Sequence, residues 1–212
     1  MKTGWQKITV YDQDEDDDYD YWFNFKSNGE KRTRTDNNAK DKDIYEKKIN
    51  GKYYGFDKRG VMTYEWTATT ESDLSTISNW RYFNSPEDGA RSTKGWFKVV
   101  APDEDGDDNT FKDYSNDSAN STFAQGDAAD ENERWYYADS DGELYVGQIK
   151  KIKGKYYYFG KKGRMYTNRI ISKKYYVNAA GERTYGFAQI GADTYYFHPT
   201  TGKMMTGWVL VG

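Results

Sequence analysis

The sequence predicts an all-β protein: a solenoid of stacked β-hairpin repeats with inserted loops in its N-terminal half. Three observations predict it. Seven clusters of adjacent aromatics, led by Trp22, Tyr53, Tyr82, Trp135, Tyr156, Tyr175 and Tyr195, are each followed six or seven residues later by a glycine: Gly29, Gly60, Gly89, Gly142, Gly163, Gly181 and Gly202. An internal repeat of this kind decides the architecture before any single residue does. Leu, Ile, Val and Phe together number only 30 of 212 residues, while aromatics make up 18% of the chain at a net charge of −3. So few aliphatics would suggest disorder only beside a high net charge, and here the aromatics replace them as core material. The last three turn glycines follow one another at about 20 residues, a regular array in which each unit needs to touch only its neighbours.

Each element follows in order. Hairpins are expected near 22–31, 53–64, 82–92, 135–146, 156–167, 175–185 and 195–206, all within a single repeat domain, 1–212. The fifth shows the logic. Tyr156 to Phe159 form an aromatic run of high strand propensity, Gly160 to Gly163 a short turn, and Arg164 to Thr167 the expected returning strand. Side chains alternate across a strand, so Tyr156 and Tyr158 share one face and Tyr157 and Phe159 the other. A hairpin apolar on both faces is marginal alone and buries its second face by stacking. Extra length falls in the polar stretches 32–43, 67–79 and 101–132, read as loops inserted between hairpins. The longest is expected to leave the stack on one side, with the hairpins ending near Trp96 and starting near Trp135 still stacked as neighbours.

Composition excludes much chemistry. There is no cysteine and a single histidine, His198, so neither a zinc constellation nor a cysteine nucleophile is available. His198 precedes Pro199 at an expected turn, with no nucleophile context beside it. Paired carboxylates for glycoside hydrolysis are not excluded by counting, but the acids concentrate in loops and turns. The runs Asp14 to Asp18 and Asp103 to Asp108 lack the EF-hand pattern and read as solvated loop, with weak calcium binding left open. No cofactor is expected, and no apolar run approaches the ~20 residues that span a bilayer. The acidic balance disfavours nucleic acid; the local basic stretch from Lys150 to Lys162 suits anionic wall polymers instead. Met1 and Lys2 lead straight into Thr3-Gly4-Trp5, and Thr206-Gly207-Trp208 repeats that tripeptide. A chain cut at repeat boundaries from a longer protein, or one that has lost its signal, is therefore expected.

Three stretches carry a resemblance to a known family. Ile190 to Trp208 contains Thr194-Tyr195-Tyr196-Phe197, a turn ending at Gly202, and Met205-Thr206-Gly207-Trp208; Ile49 to Met62 and Ile152 to Met165 run closely parallel to it. The chain resembles the cell-wall-binding repeat superfamily: choline-binding modules, glucan-binding repeats and the C-terminal repeats of clostridial toxins. The resemblance implies an extracellular, non-catalytic module on the bacterial surface. It implies choline on teichoic acids as ligand, held in aromatic cages between consecutive hairpins, with a Met often closing the base. A quaternary ammonium has no hydrogen-bond donor and is held by ring faces, each contributing about 0.5–2 kcal/mol.

Carried over residue by residue, the pattern singles out Trp5, Trp22, Tyr54 and Met62, then Trp66, Trp80 and Tyr82, then Trp96, Trp135 and Tyr137. Beyond them Gln148, Arg169 and Phe187 stand where the family places Trp, so cages are expected in the N-terminal half and scaffold in the C-terminal half. Aromatics in such an array are first of all its core. For the tyrosines of 156–159, 175–176 and 195–197, packing is the reading; for the tryptophans, packing and ligand contact both stand. Saccharide stacking explains an exposed indole as well as choline does, so a glucan or other surface glycan is the alternative ligand. A structural or adhesion stalk with protein-binding loops is the alternative from another class. The oligomeric state, a homodimer included, stays open.

Overall fold

The computed structural model describes residues 1–12, 16–39, 42–70, 76–85, 87–91, 94–99 and 133–209. The chain is nearly all β: fourteen strands pair as seven antiparallel hairpins. They are β1 (Gly4–Asp12) with β2 (Asp17–Phe25), β3 (Tyr45–Ile49) with β4 (Lys52–Phe56), β5 (Trp66–Ala68) with β6 (Trp80–Tyr82), and β7 (Gly95–Val99) with β8 (Arg134–Ala138). They continue with β9 (Ile149–Ile152) and β10 (Lys155–Tyr158), β11 (Arg169–Ile171) and β12 (Tyr175–Val177), and β13 (Gly186–Ile190) and β14 (Asp193–Phe197).

The aromatic run is the second strand of each hairpin, and its ladder runs to the strand before it. This corrects the expected frame, in which the partner follows the turn glycine. Tyr158 pairs with Ile149 and Lys155 with Ile152 across a two-residue loop. Lys153 and Gly154 in that loop both take positive φ, 47° and 86°, the twist that suits a tight hairpin. The returning segment forms one bridge per repeat: Phe25 to Lys31, Phe56 to Met62, Phe83 to Arg91, Ala138 to Leu144, Phe159 to Met165, Val177 to Arg183 and Phe197 to Met204.

That bridge residue also ties one repeat to the one before. Met62 N–H donates to the Trp22 carbonyl at 2.9 Å and Arg91 N–H to Tyr53 at 2.8 Å. Arg183 N–H donates to Tyr156 at 2.9 Å and Met204 N–H to Lys174 at 2.6 Å. The turn glycine has a second role here. A Cβ on Gly89 would collide with Met62, one on Gly142 with Arg91, and one on Gly202 with Arg183. The turn of one repeat therefore lies on the bridge side chain of the repeat before it. The residue after the bridging position caps the turn: Oδ1 of Asp57, Asp139 and Asn178 each accepts two backbone N–H groups. His198 takes the same place, its Nδ1 accepting from Thr200 at 3.1 Å and Thr201 at 3.3 Å. The lone histidine is thus a turn cap.

The insertions are placed differently from the expectation. Residues 67–79 are not a loop between hairpins. Thr67 and Ala68 belong to β5, and Ile77–Asn79 forms a 3-10 turn leading into β6. Trp96 and Trp135 lie on paired strands of one hairpin, Trp96 opposite Tyr137 and Lys98 opposite Trp135. The long insertion is therefore the tip of a hairpin and not a junction between two; most of it, including Asp103 to Asp108, lies outside the described residues, as do Asp14 and Glu15. Only 32–43 falls between repeats, and it carries a single helical turn, α1 (Asp36–Ala39).

The chain divides into two compact units, Met1–Leu144 and Tyr145–Gly212. The first is built around Phe23, Ile44, Phe56, Trp66, Trp80, Phe83 and Tyr136, all buried. The second buries Tyr158, Phe159, Val177 and Phe197. Burial pushes the Tyr158 phenol up to about 12, so that ring is neutral throughout the physiological range. No helix among the described residues is long and apolar enough to cross a membrane, and no group of three or more acidic, His or Cys side chains among them is arranged to hold a metal ion.

Candidate ligand cage

The pairing register gives each repeat a set of equivalent positions. Counting back from the bridging residue at the end of the aromatic strand, the third residue is Trp22 in the first repeat and Tyr53 in the second; the residue before the bridge is Asn24 and Gly55. Between the first and second repeats these positions build a concave site. Trp5 enters from β1, where Gly4 at φ 72° opens the strand. Trp22 stands on β2, Tyr54 on β4, and Met62 at the bridge. With Glu87 and Asp88 from the turn of the third repeat they line a cavity of about 230 Å³.

The rings are set edge and face toward one another. Trp5 meets Tyr54 at 4.8 Å between centroids and 60° between planes, and stacks on Phe56 at 5.8 Å. Trp22 is oriented by its own polar edge, since its indole N–H donates to Glu87 Oε2 at 3.1 Å. Lys7 Nζ holds the other carboxylate oxygen at 2.8 Å. Those two donors, Lys7 first and Trp22 second, hold the Glu87 carboxyl below the ordinary carboxylate range, and the same contact raises Lys7. Asp88 is held by Lys52 Nζ at 3.3 Å and Asn84 Nδ2 at 2.6 Å. Met62, 3% exposed, forms the floor, with Gly89 resting on its thioether end. An apolar floor, ring faces on the walls and carboxylates on the rim suit a compact organic cation. Aromatic faces attract positive charge and need no hydrogen bond from the ligand.

The structure brings four of the ten expected residues, Trp5, Trp22, Tyr54 and Met62, into this one site. Trp66 and Trp80 lie in the core, at 2% and 0% exposure. Trp66 packs edge-on against Tyr82 at 5.3 Å and Tyr136 at 5.0 Å, and Tyr82 stacks on Phe97 at 5.4 Å. Trp96, Trp135 and Tyr137 form a separate cluster on one hairpin. Trp96 stands perpendicular to Trp135 at 6.3 Å and nearly so to Tyr137 at 5.1 Å, with Trp135 41% exposed. Glu87 and Asp88 are the residues the sequence reading missed. They precede a turn glycine, and only the rule that one repeat's turn covers the bridge residue of the repeat before would have placed them at this cage.

Comparison with known proteins shows what the chain is similar to. The choline-binding repeat family matches residues 151–182. A glucosyltransferase-S of Streptococcus mutans serotype c is 32% identical over 162 residues, covering 73% of this chain and 10% of that protein. The chain thus spans a tenth of the length of this curated relative. Among solved structures, CbpJ of Streptococcus pneumoniae superposes with a TM-score of 0.61 at 20% identity, over 99% of this chain and 61% of that one. The choline-binding domain of CbpL from the same organism gives 0.51 at 16% identity, over 97% and 78%. The autolysin LytC gives 0.51 at 20% identity, over 94% and 33%. At these identities the structural likeness concerns the fold. Residues 151–182 match a choline-binding repeat, and the fold is shared with choline-binding proteins.

Proposed function

We propose that the chain is a non-catalytic cell-wall-binding module that takes choline, as displayed on teichoic acids, in the cage of Trp5, Trp22, Tyr54 and Met62. One observation carries the reading: an aromatic cage whose rim holds the carboxylates of Glu87 and Asp88. A neutral sugar would gain from the rings but not from this charge, whereas a trimethylammonium group gains from both. The whole chain, 1–212, is taken as a single repeat domain because both compact units carry the same bridge and turn pattern. The place of action is the outer surface of a Gram-positive cell, and the only histidine is engaged as a turn cap.

A second reading, a glucan-binding module, is favoured by the likeness to glucosyltransferase-S. Parallel titrations of intrinsic Trp emission with choline and with glucan oligosaccharides separate the two. Under the choline reading, millimolar choline changes the emission and raises the melting temperature, because a ligand bound only by the folded state stabilises it by mass action. A response to oligosaccharide alone moves the assignment to glucan.

A further inference from the structure

The geometry points to a second cage of this kind, already filled by one of the chain's own arginines. We infer that Arg183 is a built-in cation occupying the site where a quaternary ammonium would otherwise sit, and that Met62 leaves its own site open to an external one. This rests on the reading of the Trp5 cage as a cation site.

The repeat geometry makes the comparison residue by residue. Met62, Arg91 and Arg183 hold the same position: each forms the repeat's single bridge and donates its N–H to the preceding aromatic strand, at Trp22, Tyr53 and Tyr156 respectively. Tyr156 is therefore the counterpart of Trp22, and Tyr175, two residues before the bridging Val177, is the counterpart of Tyr54. Where Met62 lies beneath a cavity, the Arg183 guanidinium lies between these two rings, 4.3 Å from each centroid, and 5.2 Å from Tyr158. Its Nε is buried and makes no hydrogen bond among the described residues; ring faces hold the charge, as they would hold a trimethylammonium group. The covering turn is matched too. Glu87 and Asp88 precede Gly89 over Met62, and Thr201, which precedes Gly202, accepts from Arg183 Nη1 at 3.3 Å.

Arg91 keeps the bridge position, but with Arg81 where a second ring would stand it is held by one ring and a carboxylate. Its guanidinium sits 4.5 Å over Tyr53, and Nη1 meets Glu46 Oε1 at 2.7 Å. Glu46 stands opposite Gly55, as Trp5 stands opposite Asn24, so an acid occupies the Trp5 position where the bound cation is permanent. Nη2 reaches the Ser140 carbonyl of the covering turn at 3.4 Å. A single residue, Met or Arg at the bridge, thus separates a site open to ligand from one closed by the fold.

The test is calorimetric titration of choline chloride into the full-length wild type and the Arg183→Met and Met62→Arg variants, with melting temperatures at zero and saturating choline. Arg183→Met is expected to melt lower than wild type without choline, to bind one further equivalent, and to show the larger choline-induced rise in melting temperature. That gain persists when Trp5→Ala is added. Met62→Arg is expected to fold and to lose the response of the Trp5 cage. A folded Arg183→Met with no added equivalent overturns the inference. So does a Met62→Arg protein that binds as wild type does or fails to fold, and this variant decides the matter if Arg183→Met cannot be purified. Silence of the wild type together with binding by Arg183→Met would reject the proposed ligand site at Trp5 and keep the inference about Arg183.

Discussion

Residues 1–144 and 145–212 carry one repeat and fill it with different chemistry. The first unit buries two tryptophans, Trp66 and Trp80, and leaves a third and fourth, Trp5 and Trp22, around a cavity. The second unit buries tyrosine, phenylalanine and valine at its repeat centres and closes the position equivalent to that cavity with Arg183. Its hairpins turn in two or three residues, at 153–154, 172–174 and 191–192, whereas β1–β2, β5–β6 and β7–β8 are joined by longer segments. The contrast separates what the repeat needs from what it permits. It needs a bridge and a turn glycine, and the turns after Asp57, Asp139, Asn178 and His198 add a side-chain cap. It permits wide variation in hairpin length and in the polarity of the bridge residue, and the latter decides whether a cation site is open.

The largest expected effect tests the core side of this contrast. Trp80→Ala in the first unit should cost about 3–5 kcal/mol, as removal of a buried large aromatic does, and Val177→Ala in the second about 2 kcal/mol, in urea unfolding followed by circular dichroism. Equal costs would mean that the two units do not differ in how they are held together. Next in size is Gly89→Ala. Its φ of 56° and the proximity of Met62 leave no room for a Cβ, so the substitution should lower both stability and choline affinity, the latter by displacing the cage floor. Trp5→Ala should weaken choline binding by roughly 2- to 30-fold, the range that 0.5–2 kcal/mol for one ring allows, with little change in melting temperature. A loss of folding there would make Trp5 a packing residue like Trp66.

The smallest effect concerns charge. Glu87 is held below the ordinary carboxylate range by Lys7 and Trp22. A group with a depressed folded value stabilises above its unfolded value and loses that contribution as pH falls through the folded one. Choline affinity should therefore be flat from neutral pH down to the ordinary carboxylate range and decline below it. Glu87→Gln should remove that decline while lowering affinity severalfold at most, since the carboxylate is solvent-exposed and screened. An unchanged acid limb in the variant would show that Glu87 does not set it.

Much of this architecture can be read from the amino acids. The seven aromatic clusters and their glycines mark all seven repeats, and four of the singled-out residues, Trp5, Trp22, Tyr54 and Met62, line one cavity. The strand partner could not be read, because Ile149-Lys150-Lys151-Ile152 does not alternate apolar and polar and so gives no period-two signal. The place of the long insertion was hidden for a related reason: the Trp96 strand and the Trp135 strand lie far apart in sequence, and nothing local states that they pair. Trp66 and Trp80 look like Trp5 and Trp22 until burial separates them. Glu87, Asp88, Arg91 and Arg183 read as solvated charges in a turn or strand, and their roles emerge only once one repeat's turn is laid over the bridge of the repeat before.

The most direct measurement of the central claim is a crystal structure of the full chain grown or soaked in choline. The account predicts a trimethylammonium group among Trp5, Trp22 and Tyr54 above Met62, with the Arg183 guanidinium still between Tyr156 and Tyr175. Choline at the Trp66–Trp80 core, or an empty Trp5 cavity at saturating ligand, would contradict it.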